Sequence, residues 1–216
     1  MSLDNWMKDY EMYCSDSFLI AAPGMAFFGG FAIGCSFLPK MSDENGRKNY
    51  FMVAMIAQTL SVLVCILVSL GSAPIPMGCF YVIIVMFFIH GLSTGIRPLV
   101  GFCMICDFCP EKYASYLGAF WNSMEGIIYI YLTIYFRFIS KNWLWPQVFG
   151  VCLSFVTITL VYLWIPESPK WLYKKQRYEQ CNVVFKRIAK FNGIDEMKSV
   201  GRLLLINPGD SVIEMS

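Results

Sequence analysis

Long apolar runs fill most of this chain, and its polar residues gather into short breaks between them. The runs lie near 17–38, 51–70, 79–100, 114–136 and 148–165. Crossing a hydrocarbon core of about 30 Å takes about 20 helical residues, so each run is long enough to span a bilayer. The backbone must satisfy its own hydrogen bonds at that depth, and runs of this length predict helices rather than barrel strands. The pattern therefore predicts an all-α protein. It consists of an outer segment over 1–16, an integral membrane bundle of five transmembrane helices over 17–165, and a cytoplasmic amphipathic linker and tail over 166–216.

Charge orients the bundle. Lys40, Arg47 and Lys48 follow the first run, and Arg97 and Lys112 flank the break after the third. GSAPIPMG, after the second run, has no charge, and only Arg137 and Lys141 mark the break after the fourth. Lys170, Lys174, Lys175 and Arg177 follow the fifth, and Lys186, Arg187 and Lys190 come later. By the positive-inside rule the N-terminus lies outside and the C-terminus is cytoplasmic, which agrees with an odd number of crossings.

Composition narrows the class further. With 57% hydrophobic and 15% charged residues and a mean hydropathy of +0.54, the lipid bilayer is the expected partner and nucleic acid is not. The opening MSLDNWMKDYEMYCSD is acidic and has no basic stretch leading into an apolar core, so it does not read as a signal peptide. Nine cysteines lie mostly in or beside apolar runs, where a thiol behaves as a small hydrophobe; Cys14 alone falls in the outer segment. CMICDFCP (103–110) spaces three cysteines by two residues but lacks the fourth thiolate of an iron–sulfur run and the second pair of a zinc site. No metal or cofactor is expected. With no His-rich box, nucleophile elbow or phosphate loop, neither is an enzyme.

Several polar residues sit inside the runs at helical spacing. His90, Thr94, Arg97 and Gly101 share one face of the third run, and Asn122, Glu125, Tyr129 and Thr133 share one face of the fourth. A charged side chain at mid-span costs about 2.5–3.5 kcal/mol on insertion scales. Glu125 therefore faces either a polar cavity, with Trp121, Asn122 and Tyr129 beside it, or a hydrogen-bonding neighbour helix. His90 reads as a satisfied interior residue or as part of the cavity. Ala22, Ala26, Gly30 and Gly34 form a small-residue ridge that suits close helix packing within the bundle or a sliding contact between two halves of a transporter.

The sequence leaves the last run through PESPKWL (166–172). Pro166 stops the span, while Ser168 and Pro169 suit the N-cap and first turn of a new helix. Beyond them Cys181, Val184, Phe185 and Ile188 share one face, with Lys186, Arg187 and Lys190 elsewhere and Asn192-Gly193 as a stop. This predicts an amphipathic helix at the cytoplasmic membrane surface, where each basic residue gains about 1 kcal/mol from anionic lipid.

Four motifs carry a family resemblance. DENGRK (43–48) resembles the major facilitator superfamily loop G-x-x-x-D-x-x-G-R-K/R through Asp43, Gly46, Arg47 and Lys48, with Pro39 at the leading glycine. Arg97 and Gly101 in GIRPLVGF resemble the R-x-x-x-G of that superfamily's fourth helix. Asp107 and Pro110 are similar to the E-x-x-P-x-x-x-R that follows, with Ala114 at the arginine. PESPKWL resembles the P-E-S-P-R-W-L of organic cation/anion transporters and sugar porters, and 5–18 is similar to the end of the outer loop before the second helix of the organic ion transporters. The resemblance runs almost to Gly193 and covers the family's second to sixth helices.

It implies transport of small organic solutes, such as organic ions or sugars, by alternating access in a multi-pass protein of the plasma membrane, with an organelle membrane as the alternative. The missing C-terminal half or partner membrane subunits would complete it; the rival expectation is a degenerate, non-transporting relative acting as a structural subunit. Carried over, Asp43, Gly46, Arg47, Lys48, Arg97, Gly101, Asp107, Glu167 and Ser168 form a cytoplasmic gating network, unless these charges only fix topology. His90, Thr94, Trp121, Asn122, Glu125 and Tyr129 line the substrate cavity.

Overall fold

The computed structural model describes residues 15–71 and 77–193, and every regular element in them is helical. Cys14 and nearly all of the outer segment, most of GSAPIPMG, and the tail beyond Gly193 lie outside the described residues. The helices are α1 Ser17–Asn45, α2 Arg47–Gly71, α3 Met77–Phe108, α4 Ala114–Ile134, α5 Leu144–Trp164, α6 Pro169–Lys174 and α7 Tyr178–Phe191. A 3-10 turn, Glu111–Tyr113, precedes α4, and a π-helical turn, Tyr135–Ile139, follows it.

Among the described residues four helices, α1, α2, α3 and α5, are long and apolar enough to cross a membrane. At 1.5 Å per residue the 21 residues of α5 reach about 32 Å, one hydrocarbon thickness. α4 is as long, but Trp121, Asn122, Ser123 and Glu125 dilute its apolar character, so the fifth crossing remains a proposal. The helices also run further than the apolar runs. α1 continues through Pro39 to Asn45, α3 carries the whole Arg97 to Asp107 stretch, and DENGRK is two helix ends joined through Gly46 alone.

The chain divides into two compact units at Ile165 and Pro166. In the first, α3 is the central element, packed on α1 and α2, while α5 packs on α2. The α1–α3 contact is a glycine seam. A Cβ on Gly30 would meet the Phe88 carbonyl, one on Gly34 the Leu92 carbonyl, and one on Gly91 the Phe27 carbonyl. On Gly95 it would lie 2.8 Å from the Phe31 carbonyl. Such backbone approach maximises dispersion contact, the main attraction between helices in lipid. The α1 ridge is thus used in packing within the bundle. Next to the seam, Ala54 of α2 and Ile96 and Val100 of α3 form a core against which Leu38, Tyr50 and Phe51 pack.

The second unit holds α6 and α7. Ser168 is fully buried and caps α6, its Oγ accepting the Trp171 N–H at 3.1 Å, with Pro169 in the first turn. Cys181, Val184 and Ala189 are the buried stripe of α7, and Lys186, Arg187 and Lys190 are exposed. The Cys181 thiol donates to the Pro169 carbonyl at 3.5 Å, and burial pushes its pKa up. The amphipathic region is broken in two where Gln176 takes a left-handed φ of 58°.

Candidate functional site

Three helix ends meet around one guanidinium. The end of α1 is closed by Gly46, whose φ of 116° favours glycine and whose N–H reaches the Ser42 carbonyl at 3.0 Å. Ser42 is itself buried, its hydroxyl donating to the Pro39 carbonyl at 2.7 Å. Because this turn is so short, Arg47 starts α2 beside the last turn of α1. Arg47 Nε donates to Asp43 Oδ1 at 3.0 Å, and Nη2 lies 2.9 Å from the same oxygen. On its other side Arg47 Nη1 donates to Asp107 Oδ2 from the end of α3. The Asp107 side chain is only 9% exposed, against 54% for Asp43. A charge desolvated to that degree depends on its partner, and removing one member of such a pair typically costs about 3–5 kcal/mol.

Lys48, the next motif residue, turns to α5. Its Nζ donates to the Tyr162 carbonyl at 3.1 Å and stands 5.8 Å from that ring's centre. Gly101 admits α2: a Cβ there would come within 2.9 Å of Phe51 Cε2. The motif residues of the first unit thus tie the ends of α1, α2 and α3 together and brace α2 on α5. Glu167 and Ser168 belong to the second unit, where a Glu167 carboxylate oxygen accepts the Ser168 N–H at 3.1 Å.

Arg97 belongs to a different group. Ten residues along α3 separate it from Asp107, about 15 Å of helix, and its charge interacts with Glu125 of α4 and with His90. The Thr94 hydroxyl donates back to the His90 carbonyl at 2.8 Å, and Pro98 has no N–H to offer the Thr94 carbonyl. Trp121 packs edge-on to Phe102, with ring centres 6.3 Å apart. Asn122, Glu125 and Tyr129 are exposed, Tyr129 by 69%. Arg97 and Glu125 are thus within range of each other's charge.

His90 points elsewhere. Its Nδ1 is 3.4 Å from the Ser61 hydroxyl, and its ring lies 5.7 Å from that of Phe27. With Ser61, Cys65, Phe87, Trp143 and Gln147 it lines a cavity of about 130 Å³ that Thr94, Trp121, Asn122, Glu125 and Tyr129 do not reach. Of the six expected cavity residues, His90 is the one that lines this pocket. Neither Ser61 nor Gln147 was singled out in the sequence; Ser61 is a polar side chain inside an apolar run, whereas Gln147 sits just before one.

A family described as "Sugar (and other) transporter" matches residues 4–200. An organic cation transporter protein of Drosophila melanogaster is 25% identical over 193 residues, covering 89% of this chain and 33% of that protein. The human organic cation/carnitine transporter 2 is 26% identical over 197 residues, with 89% and 33% covered. The chain thus spans about a third of the length of the relatives it matches, and these relatives are transporters. Among solved structures, the major facilitator proton:xylose symporter XylE bound to 6-bromo-6-deoxy-D-glucose superposes with a TM-score of 0.63 at 18% identity, covering 87% of this chain and 41% of that one. A partially occluded, inward-open XylE from E. coli gives 0.63 at 19% identity, with 88% and 46% covered. The fold is that of a major facilitator protein, and the apolar helices make the chain an integral, multi-pass membrane protein.

Proposed function

Because the chain belongs to the sugar (and other) transporter family, we propose that it forms part of the N-terminal half of a transporter that moves small organic solutes across the plasma membrane by alternating access. Arg47 held between Asp43 and Asp107 is the observation that carries this reading. An ion cluster joining helix ends breaks and re-forms as a unit, so it biases two states that differ by only a few kcal/mol. The cluster serves as the cytoplasmic gate latch, with Lys48 and Gly101 as its supports. Arg97 and Glu125, with Thr94, Trp121, Asn122 and Tyr129, line the solute path. The names of the relatives favour organic cations over sugars as solutes.

A second transporter half, or partner membrane subunits, completes the path. Support comes from α4, none of whose residues is buried although the helix is 21 residues long. An apolar helix with a carboxylate on it calls for protein or an aqueous cavity on that side. The rival role of non-transporting structural subunit finds no support in the relatives named above.

The reading is tested by uptake. In cells expressing the full-length product, a radiolabelled quaternary ammonium ion should accumulate saturably, and Arg47→Ala should lower the maximal rate with little change in KM. Normal uptake by Arg47→Ala, at equal surface expression, would mean that the cluster only fixes topology. No uptake of organic cations or sugars by the unmutated protein would overturn the transport assignment.

A further inference from the structure

We propose that Cys103 and Cys106, one turn apart at the end of α3, form a dithiol that hydrogen peroxide closes into a disulfide, and that closure loosens the hold of Asp107 on Arg47. Both residues remain thiols in the structure; Cys103 is exposed and Cys106 half-buried. Their separation of three places them on one face of the helix, and Asp107, four beyond Cys103, shares that face. Asp107, the residue after Cys106, holds Arg47, so the end of α3 joins the sulfur pair to the ion cluster.

Geometry gives the coupling its direction. Helical residues three apart have Cβ atoms about 5–6 Å apart, whereas a disulfide brings them to about 3.8 Å. The bond is within reach only if the last turn of α3 tightens by roughly 1.5–2 Å. That turn is able to tighten because α3 ends at Phe108 and a 3-10 turn follows over Glu111–Tyr113. Asp107 directly follows Cys106, so its carboxylate moves with the closing sulfur and away from the geometry that holds Arg47. A metal centre is not the better reading, since no three His, Cys, Asp or Glu groups converge among the described residues.

The chemistry closes with peroxide as the only oxidant. A thiolate attacks the peroxide, forming an S–O bond and breaking O–O; the leaving hydroxide takes a proton and departs as water. The second sulfur then displaces the sulfenic oxygen, forming S–S and breaking S–O, and a second water leaves. Two thiols and one peroxide give one disulfide and two waters, and a dithiol reductant reverses the change. The effect on transport rests on the gate reading above, whereas the sulfur chemistry and its structural effect are read without it.

The test uses the full-length protein in liposomes, treated with peroxide, alkylated with N-ethylmaleimide and digested for mass spectrometry. The expected product is a peptide lighter by two hydrogens, with Cys103 and Cys106 both protected from alkylation and both released by dithiothreitol. Amide exchange over Ser42–Lys48 should rise severalfold on oxidation. In Cys106→Ser it should not rise, and Cys103 should instead be trapped by dimedone as the sulfenic acid. The proposal is overturned if both thiols stay alkylatable after peroxide, if Cys106 pairs with Cys109, or if exchange rises as much in Cys106→Ser as in the unmutated protein. Should Arg47→Ala leave transport unchanged while the disulfide still forms and exchange still rises, the gate reading fails and the dithiol stands.

Discussion

Arg47 has two carboxylate partners of unequal worth. Asp43 is half in solvent, where an ion pair contributes about 0–1 kcal/mol, while Asp107 is almost wholly desolvated. Asp107→Asn is therefore expected to destabilise the protein by about 3 kcal/mol and Asp43→Asn by about 1 kcal/mol or less, read as thermal unfolding in detergent. Equal shifts would mean that Asp107 is better hydrated than its burial indicates. These partners were legible only through the family resemblance of DENGRK and of the acidic position at the end of α3. The same resemblance placed Arg97 in the set. A helix turns sequence neighbourhood into distance, and ten residues put Arg97 beyond the cluster and into the field of Glu125. Glu125→Gln keeps the shape and removes the charge, so it should cut uptake of cationic solutes at least tenfold more than that of neutral analogues, a difference of about 1.4 kcal/mol. Equal loss for both would assign Glu125 a packing role.

At the scale of elements, the α1–α3 seam is the most demanding contact. Gly91 leaves no room for a Cβ against the Phe27 carbonyl, a backbone atom that no rotamer change can move, whereas Gly24 has nothing within 4 Å. Gly91→Ala should therefore cost about 1–3 kcal/mol or more, while Gly24→Ala should be neutral or slightly stabilising, since alanine is the better helix former. Melting temperatures of the purified variants decide it; a harmless Gly91→Ala would mean that the two helices do not approach so closely. Half of this seam was legible: Gly30 and Gly34 stood out by their spacing, but Gly91 carried no reading and Gly95 entered only as the first residue of GIRPLVGF. Helix ends were less legible than helix existence. Pro39 and the charged DENGRK read as a loop, yet a proline costs a helix only one donor and a local clash, and a single glycine at φ 116° suffices to join α1 to α2. Likewise Gln176, with no glycine to announce it, splits the amphipathic region.

For the molecule as a whole, the apolar pattern was enough to predict a helical membrane protein, because backbone satisfaction in lipid leaves few alternatives. The fifth crossing was less secure for a physical reason: α4 mixes apolar and polar residues, and its side chains find little cover within the first unit. The central claim is that the Asp43–Arg47–Asp107 cluster governs which side of the membrane the solute path faces. The most direct measurement is the alkylation rate of a single reporter, Tyr129→Cys, in the full-length protein with native thiols replaced, using an impermeant maleimide applied from either side. The account predicts that adding Arg47→Ala changes the two rates severalfold in opposite directions, one side gaining access as the other loses it. Rates unchanged from both sides, with the protein folded and in the membrane, would contradict it.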